Sequence, residues 1–199
     1  KDGKLPPKTK TFQPGTEVVI RRFLSVGTSP AQAYGRAIAK VGDVGKVLLT
    51  ISDPEGNAIP SARVNLSNDG EMGNFIPAYP NEKGLIELSL PLGEWKVNAK
   101  DNGRDPVESV ITVKKDATTK KSISMSTQSG IHFSITKEDG SPTPCKAQII
   151  GINGTVSPKL GPVDRAHGCN DQFHSENGKF SIGLAPGNYK VIVTRGIEH

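Results

Sequence analysis

Apolar and polar residues alternate along this chain in short runs, and turns rich in glycine and proline separate the runs. Alternation with a period of two is typical of half-buried β-strands. The clearest examples are 46–52 and 94–100, in which every second position is apolar. The pattern predicts strands near 46–52, 62–67, 85–90, 94–100, 107–113, 119–125, 131–136, 146–152, 179–184 and 188–194.

One phrase of the sequence occurs twice. Residues 84–104 read GLIELSLPLGEWKVNAKDNGR and residues 178–198 read GKFSIGLAPGNYKVIVTRGIE, so that Trp95 matches Tyr189. Regularly spaced short strands with turn signals between them are typical of sandwiches. The repeat therefore predicts an all-β chain of two tandem Greek-key sandwiches, over 45–126 and 127–199.

The two copies differ after the end of the repeated phrase. The first copy continues into the predicted strands 107–113 and 119–125, whereas the second copy is continued only by His199. Because natural sheets avoid open strand edges, we expect the second sandwich to be truncated. The chain is then one piece of a larger protein.

Residues 1–44 resemble neither unit, and we interpret them as the end of an upstream domain. A basic tail is followed by a predicted strand over 16–26 and by a short helix that Ser29 caps and Pro30 begins. In the strand, alternation predicts that the inward residues are Val18, Ile20, Leu24 and Val26. In the helix, the predicted buried residues are Ala33, Ala37 and Ile38.

The net charge of +5 comes entirely from the N-terminal segment. Residues 1–44 carry eight Lys or Arg and three Asp or Glu, whereas 45–199 carry seventeen of each kind. A nucleic-acid surface requires a basic stripe among exposed aromatics, and this distribution argues against one. No run approaches the ~20 apolar residues of a membrane span, so we expect no membrane partner.

Several phrases of the first unit carry a family resemblance. A strand over 45–51, the stretch 59–66 (IPSARVNL) and the stretch 90–99 (LPLGEWKVNA) follow one another. This order resembles the carboxypeptidase regulatory-like domains, which are transthyretin-like sandwiches appended to many secreted enzymes and surface proteins. The resemblance implies a hairpin glycine with positive φ at Gly93 and at Gly187.

The two ends of the chain carry a narrower resemblance. Residues 14–27 (PGTEVVIRRFLSVG) and 189–199 (YKVIVTRGIEH) flank the two units. This arrangement resembles the region that precedes the catalytic domain in carbaryl-hydrolase-type metallohydrolases of the PHP superfamily. Arg195, Gly196 and Glu198 match that family's R-G-x-E phrase, whereas His199 stands where an aromatic is expected. The resemblance implies no catalytic residue and no cofactor here, and a catalytic domain elsewhere in the polypeptide as partner.

One cluster in the sequence carries candidate metal ligands. His167, Cys169 and His174 form an H-x-C-x4-H pattern, with Asp171 between them and His132 as a distant fourth ligand. Zinc binds such thiolate and imidazole groups, although the paired spacing of strong zinc motifs is absent.

Cys169 has a second interpretation, a disulfide with Cys145 that closes a loop of about 24 residues. Two free thiols are the third interpretation, and the sequence leaves all three open.

The sequence contains neither a G-x-S-x-G elbow nor a phosphate-binding glycine loop. Trp95 and Tyr189 are either core residues or sugar-stacking platforms, and their position after a hairpin glycine favours the core. We therefore expect a non-catalytic accessory region of a secreted or periplasmic metallohydrolase. The alternative is a module that binds carbohydrate or a cell-surface partner, and a small zinc site is a third hypothesis.

Overall fold

A computed structural model of the protein describes residues 11–19, 22, 24–68, 75–161 and 168–195. Within these ranges one helix, α1 (Pro30–Ile38), precedes twelve strands. The strands are β1 (Val44–Ser52), β2 (Arg63–Ser67), β3 (Phe75–Ala78), β4 (Leu85–Pro91), β5 (Gly93–Lys100), β6 (Val107–Val113), β7 (Thr118–Ser124), β8 (Gly130–Ser134), β9 (Cys145–Ile152), β10 (Gln172–Ser175), β11 (Lys179–Gly183) and β12 (Asn188–Thr194). The predicted all-β architecture is confirmed.

The first sandwich packs a sheet of order β4-β1-β7 against a sheet of order β3-β2-β5-β6. All pairings are antiparallel except β1 with β7, which run parallel. Inward residues alternate with outward residues along each central strand, as the sequence predicts. The buried core is aliphatic around a single tryptophan, and its largest members are Trp95, Leu49, Ile51, Leu66 and Leu90.

The second sandwich repeats part of this topology. Its sheets have the orders β10-β9-β12 and β11-β8, so that β8 to β12 correspond in sequence order to β1 to β5. All ten strands predicted between residues 46 and 194 are present, and the structure adds β3 and β10. These two additional strands occupy the same place in the repeat, next to β2 and β9.

The repeat also holds for individual hydrogen bonds. The amide N of Ile51 donates to the carbonyl O of Gly84 at 2.8 Å, and the amide N of Ile135 donates to that of Gly178 at 2.9 Å. Both glycines begin a copy of the repeated phrase. The phrase thus encodes one local structure twice.

The two hairpin glycines differ from each other. Gly93 has a φ of +119°, as the family resemblance implies, whereas Gly187 lies outside the positive-φ region. At Gly187 an added Cβ would lie 2.7 Å from the Cγ2 atom of Thr155. The constraint at the second glycine is therefore the close approach of a side chain, and its predicted positive φ is wrong.

The predicted helix is present, but its buried face differs. Ser29 caps it by accepting a hydrogen bond from the amide N of Gln32 at 3.2 Å, and Pro30 is its first residue. Ala31 and Gly35 are the buried residues, whereas the predicted Ala33, Ala37 and Ile38 are only half-buried. Small residues face the sheet because a Cβ at position 35 would lie 2.9 Å from the carbonyl O of Ser89 on β4.

The predicted strand over 16–26 is wrong for its described residues, which form no strand. Val18, Leu24 and Val26 are exposed, Leu24 to 90%, and Ile20 lies outside the described residues. At the end of this segment, hydrogen-bonding groups pair with helix α1 and not with a strand. The Ser25 hydroxyl donates to the carbonyl O of Ala33 at 2.7 Å, and the Arg36 guanidinium donates to that of Val26 at 2.6 Å.

Candidate functional site

The predicted metal cluster is only partly within the described residues, because His167 lies outside them. Cys169 and His174 are exposed, and His174 lies on the short strand β10. Asp171 accepts a hydrogen bond from the Gln148 side chain at 2.5 Å. In the described part of the chain, no three His, Cys, Asp or Glu side chains are placed to hold a metal ion. The zinc site thus stays a prediction.

The distant histidine belongs to the other sheet of the second sandwich. The Nδ1 atom of His132 on β8 lies 2.6 Å from the Ser181 hydroxyl on β11. β10 pairs with β9 instead. His132 and Ser181 therefore form a cross-strand side-chain pair between β8 and β11.

The two cysteines are free in the structure, Cys145 buried and Cys169 exposed. Cys145 pairs with Ser175, whereas the carbonyl O of Asp171, two residues from Cys169, bonds to the amide N of Ile149. Four residues of strand separate Cys145 from Ile149, which is about 13 Å. A disulfide requires Cα atoms about 4–7 Å apart, and the register of β10 places Ser175 opposite Cys145. Burial raises the pKa of the Cys145 thiol.

The two repeated aromatic residues make the same hydrogen bond. The indole N–H of Trp95 donates to the carbonyl O of Pro91 at 3.0 Å, and the Tyr189 hydroxyl donates to that of Ala185 at 2.8 Å. Trp95 is completely buried, so its predicted core position is confirmed. Tyr189 is half-buried and contacts the second core from one side.

Two carboxylates and one amine with shifted pKa values lie in loops of the two sandwiches. A hydrogen bond from the Asn57 side chain lowers the pKa of Asp53, and one from Ser141 lowers the pKa of Asp139. A hydrogen bond to Asp43 raises the pKa of Lys115. Each shift has a local partner that stabilises a turn or a loop, and the three groups lie in three different loops. The three groups therefore stabilise separate loops and do not form a common site.

The residues that the fold does bring together lie at the junction, which we define as residues 101–104 after β5 and 125–129 between β7 and β8. Arg104 is its centre. Its Nε atom lies 3.2 Å from the Asp101 carboxylate, and its Nη1 atom donates to the carbonyl O of Ser126 at 2.5 Å. Both charged side chains are largely buried. The pair thus holds the strand that leaves the first sandwich.

Backbone groups connect the junction to the second sandwich. The amide N of Ser129 donates to the carbonyl O of Gly103 at 2.8 Å, and its hydroxyl donates to that of Leu184 at 2.6 Å. The amide N of Leu184 returns a bond to the carbonyl O of Ser129 at 3.0 Å. A single residue therefore joins a hairpin of the first sandwich to the end of β11 in the second.

A third set of bonds reaches the loop after β9. The Asn102 side chain donates to the carbonyl O of Lys159 at 2.7 Å, and the Arg63 guanidinium donates to the same oxygen at 3.3 Å. The Gln128 side chain donates to the carbonyl O of Asn102 at 2.8 Å. The two sandwiches thus share hydrogen bonds at points remote in sequence from the peptide that links them.

A cleft of about 710 Å³ opens between the sandwiches at this junction. The first sandwich contributes polar and charged side chains to its walls, the acidic Asp101 among them, and the second contributes mainly apolar residues, with Lys159 and the ring of Tyr189. The residues that characterise it are Arg63, Asn65, Lys100, Arg104 and Tyr189. This composition suits a ligand with hydroxyl or carboxylate groups and one flat apolar face.

Sequence reasoning did not find the junction. Most acceptors in it are backbone carbonyls, at Gly103, Ser126, Lys159 and Leu184, and a carbonyl has no signature in the sequence. The available signal was the stretch 101–104 (DNGR), which carries three hydrogen-bonding side chains directly after a predicted strand.

Comparisons with known proteins place few constraints on function. No protein-family model matches the chain, and no curated protein matches it. Among solved structures, it is similar to the Bacillus anthracis TIE protein, with a TM-score of 0.38 and 16% identity over 77% of this chain and 28% of that one. It is also similar to a streptococcal ancillary pilin, with a TM-score of 0.41 and 14% identity over 74% of this chain and 52% of that one.

A further similar structure is a DUF3823 family protein from Parabacteroides merdae, with a TM-score of 0.34 and 10% identity over 77% of this chain and 81% of that one. The chain thus spans about a quarter of the first of these structures and about half of the second. Likenesses of this size assign neither a family nor a ligand. In the described residues, no helix has the length and hydropathy to cross a bilayer.

Proposed function

We propose that the chain is a non-catalytic accessory region that holds a neighbouring domain of its own polypeptide at a fixed distance and angle. The observation that carries the proposal is the hydrogen-bonded junction. Relative motion of domains is the usual expectation unless their interface is large and hydrophobic, and here specific hydrogen bonds supply the restraint. Here Arg104, Asn102 and Ser129 each bond across or along the link between the sandwiches.

The proposal for the parent protein rests on the sequence alone. The resemblance to carboxypeptidase regulatory-like domains supports a secreted or periplasmic protein. The R-G-x-E phrase at Arg195, Gly196 and Glu198 supports a metallohydrolase of the PHP superfamily. In such a protein, the sandwiches position or shield the catalytic domain and take no part in its chemistry.

The cleft favours a second candidate function, which is binding of carbohydrate or of a cell-surface partner. Tyr189 is only half-buried and lines the cleft together with Arg63 and Lys100. An aromatic face beside hydrogen-bonding side chains is a common arrangement for sugar rings. Trp95 has no part in this candidate, because it is completely buried.

The test of positioning is the distance between spin labels on the two sandwiches. Lys120 on β7 and Lys190 on β12 are exposed strand residues and are replaced by cysteine, with Cys169→Ser to leave one reactive pair. Cys145 is buried and is not labelled. We expect one narrow distance distribution in electron–electron double resonance, because the junction restricts rotation of one sandwich against the other.

The matched comparison removes side-chain bonds across the junction. Arg63→Ala with Asn102→Ala is expected to broaden the distribution about twofold, since the default for weakly bonded domains is relative motion. Arg36→Ala with Asn57→Ala removes the same residue types from outside the junction and is expected to leave the width unchanged. A distribution that is already broad in the labelled parent would contradict the positioning function.

A further inference from the structure

The cleft at the junction carries more positive than negative charge. Its described walls hold one acidic side chain, that of Asp101, and the cationic side chains of Arg63, Lys100, Arg104 and Lys159. Arg104 is paired with Asp101 at 3.2 Å, and both side chains are largely buried. Among the described residues, no ion pair includes the other three cations. Their charges therefore face the cleft without a carboxylate to balance them.

Two of these three cations lie side by side on one sheet. Arg63 on β2 and Lys100 on β5 are directly opposite each other in the antiparallel register. Their neighbours Val64 and Ala99 are completely buried, so the two cationic side chains share the outer face of the sheet. Like charges directly opposite each other destabilise a sheet. A local arrangement that opposes stability is expected at a functional site, where the charges serve a ligand.

The second sandwich brings the third cation to the same place. Lys159 lies in the loop after β9, and its carbonyl O accepts hydrogen bonds from Asn102 at 2.7 Å and from Arg63 at 3.3 Å. These bonds hold the Lys159 backbone beside the guanidinium, while the residue itself is exposed and lines the cleft. A concave surface with one sign of charge attracts ligands of the opposite sign. The cleft is therefore suited to an anion.

Tyr189 adds an aromatic surface of fixed orientation to the cleft. Its hydroxyl donates to the carbonyl O of Ala185 at 2.8 Å, and its ring packs against the second core. The ring is only half-buried and lines the cleft. The Asn65 amide in the opposite wall offers a donor and an acceptor for hydroxyl groups. The occupant therefore needs a flat apolar face and hydroxyl groups as well as negative charge.

We propose that the cleft binds an acidic oligosaccharide, with uronate carboxylates on Arg63, Lys100 and Lys159 and one sugar ring on the face of Tyr189. This inference rests on the second candidate function, carbohydrate binding, and specifies its ligand class. A guanidinium binds a carboxylate through two parallel N–H donors. The cleft volume of about 710 Å³ lies within the range of about 300–1,000 Å³ that is usual for ligand sites, which suits a short segment of a polysaccharide.

The test is isothermal titration calorimetry with tetragalacturonate and with its fully methyl-esterified form, which has the same rings without the charges. We expect the acid to bind at least about tenfold more tightly, because the ester loses every charge-assisted hydrogen bond. Equal affinities would overturn the inference and leave carbohydrate binding intact, whereas no binding of either sugar would overturn both. Tetraglutamate that binds as tightly as tetragalacturonate would also overturn the inference, because charge without a sugar ring would then suffice.

Two double variants locate the binding. Lys100→Gln with Lys159→Gln is expected to weaken tetragalacturonate binding at least about tenfold. Its stability is expected to be no lower than that of the unmodified chain, because it relieves the repulsion at Arg63. Lys120→Gln with Lys121→Gln removes the same charge from exposed positions on β7, outside the cleft, and is expected to leave the affinity unchanged. Equal losses in the two double variants would overturn the inference, because the attraction would then come from the net charge of the chain.

Discussion

Trp95→Ala is expected to lower the free energy of unfolding of the first sandwich by about 3–5 kcal/mol, the usual cost of removing a large buried aromatic. Trp95 is the largest side chain in a core that is otherwise aliphatic, and it is completely buried. Its removal leaves a cavity that the surrounding strands fill only partly. It also leaves the carbonyl O of Pro91 without its indole donor.

Urea unfolding followed by two-dimensional NMR checks this expectation, because cross-peaks report each sandwich separately. Tryptophan fluorescence is unsuitable, since Trp95 is the only tryptophan in the chain. The matched variant is Tyr189→Ala at the corresponding position of the repeat, where the ring is half-buried. We expect a loss of about 1–2 kcal/mol in the second sandwich, in proportion to the smaller buried area. Equal losses would contradict the smaller buried area of the Tyr189 ring.

Gly103→Ala is expected to cost about 3 kcal/mol and to loosen the junction. Gly103 has a φ of +75°, a conformation that costs an alanine about 1–2 kcal/mol. An added Cβ would also lie 2.1 Å from the carbonyl O of Ser129 and 2.8 Å from the amide N of Leu184. Backbone atoms cannot turn aside as a flexible side chain can, so the bonds between Ser129, Gly103 and Leu184 must break or lengthen.

Gly56→Ala separates the two causes. Gly56 has a φ of +88°, and nothing lies within 4 Å of its added Cβ. We therefore expect only the conformational cost, about 1 kcal/mol, and no change in the distance between labels on the two sandwiches. If Gly103→Ala costs no more than Gly56→Ala and leaves that distance unchanged, the junction does not fix the sandwiches.

The sequence predicted strand positions best in the two repeated units, where the same alternating pattern occurs twice. Alternation predicted ten strands because each lies with one face on an aliphatic core. β3 and β10 were missed for different local reasons. β3 has four residues with a proline at position 77, and β10 reads QFHS with one apolar residue. Each is fixed by its pairing with a longer strand and has no pattern of its own.

The N-terminal segment shows the limit of alternation as evidence. Residues 16–26 have the composition of a strand, but a strand also needs a partner with free backbone groups. Here the hydroxyl of Ser25 and the carbonyl O of Val26 bond to helix α1 instead. The helix lies against β4 and β3, and its residue Gly35 faces β4. Which face of a nine-residue helix is buried depends on that contact and could not follow from its own sequence.

The candidate site was the least predictable part of the molecule. Its charged residues, Arg63, Asp101 and Arg104, occur in strand and turn sequences that look like ordinary solvated surface. The two arginines donate to backbone carbonyls that only the tertiary structure brings within reach, whereas Asp101 accepts from Arg104.

A fixed geometry between the two sandwiches is tested most directly by their relative orientation in the unmodified chain. Residual dipolar couplings of backbone amides, measured in a weakly aligning medium, report one alignment tensor for each rigid body. We predict that couplings from 44–68 and 75–124 and couplings from 130–161 and 168–194 fit a single tensor with the orientation of the structure. Two tensors of different magnitude would show independent motion of the sandwiches. They would contradict the proposal that the chain holds a neighbouring domain in place.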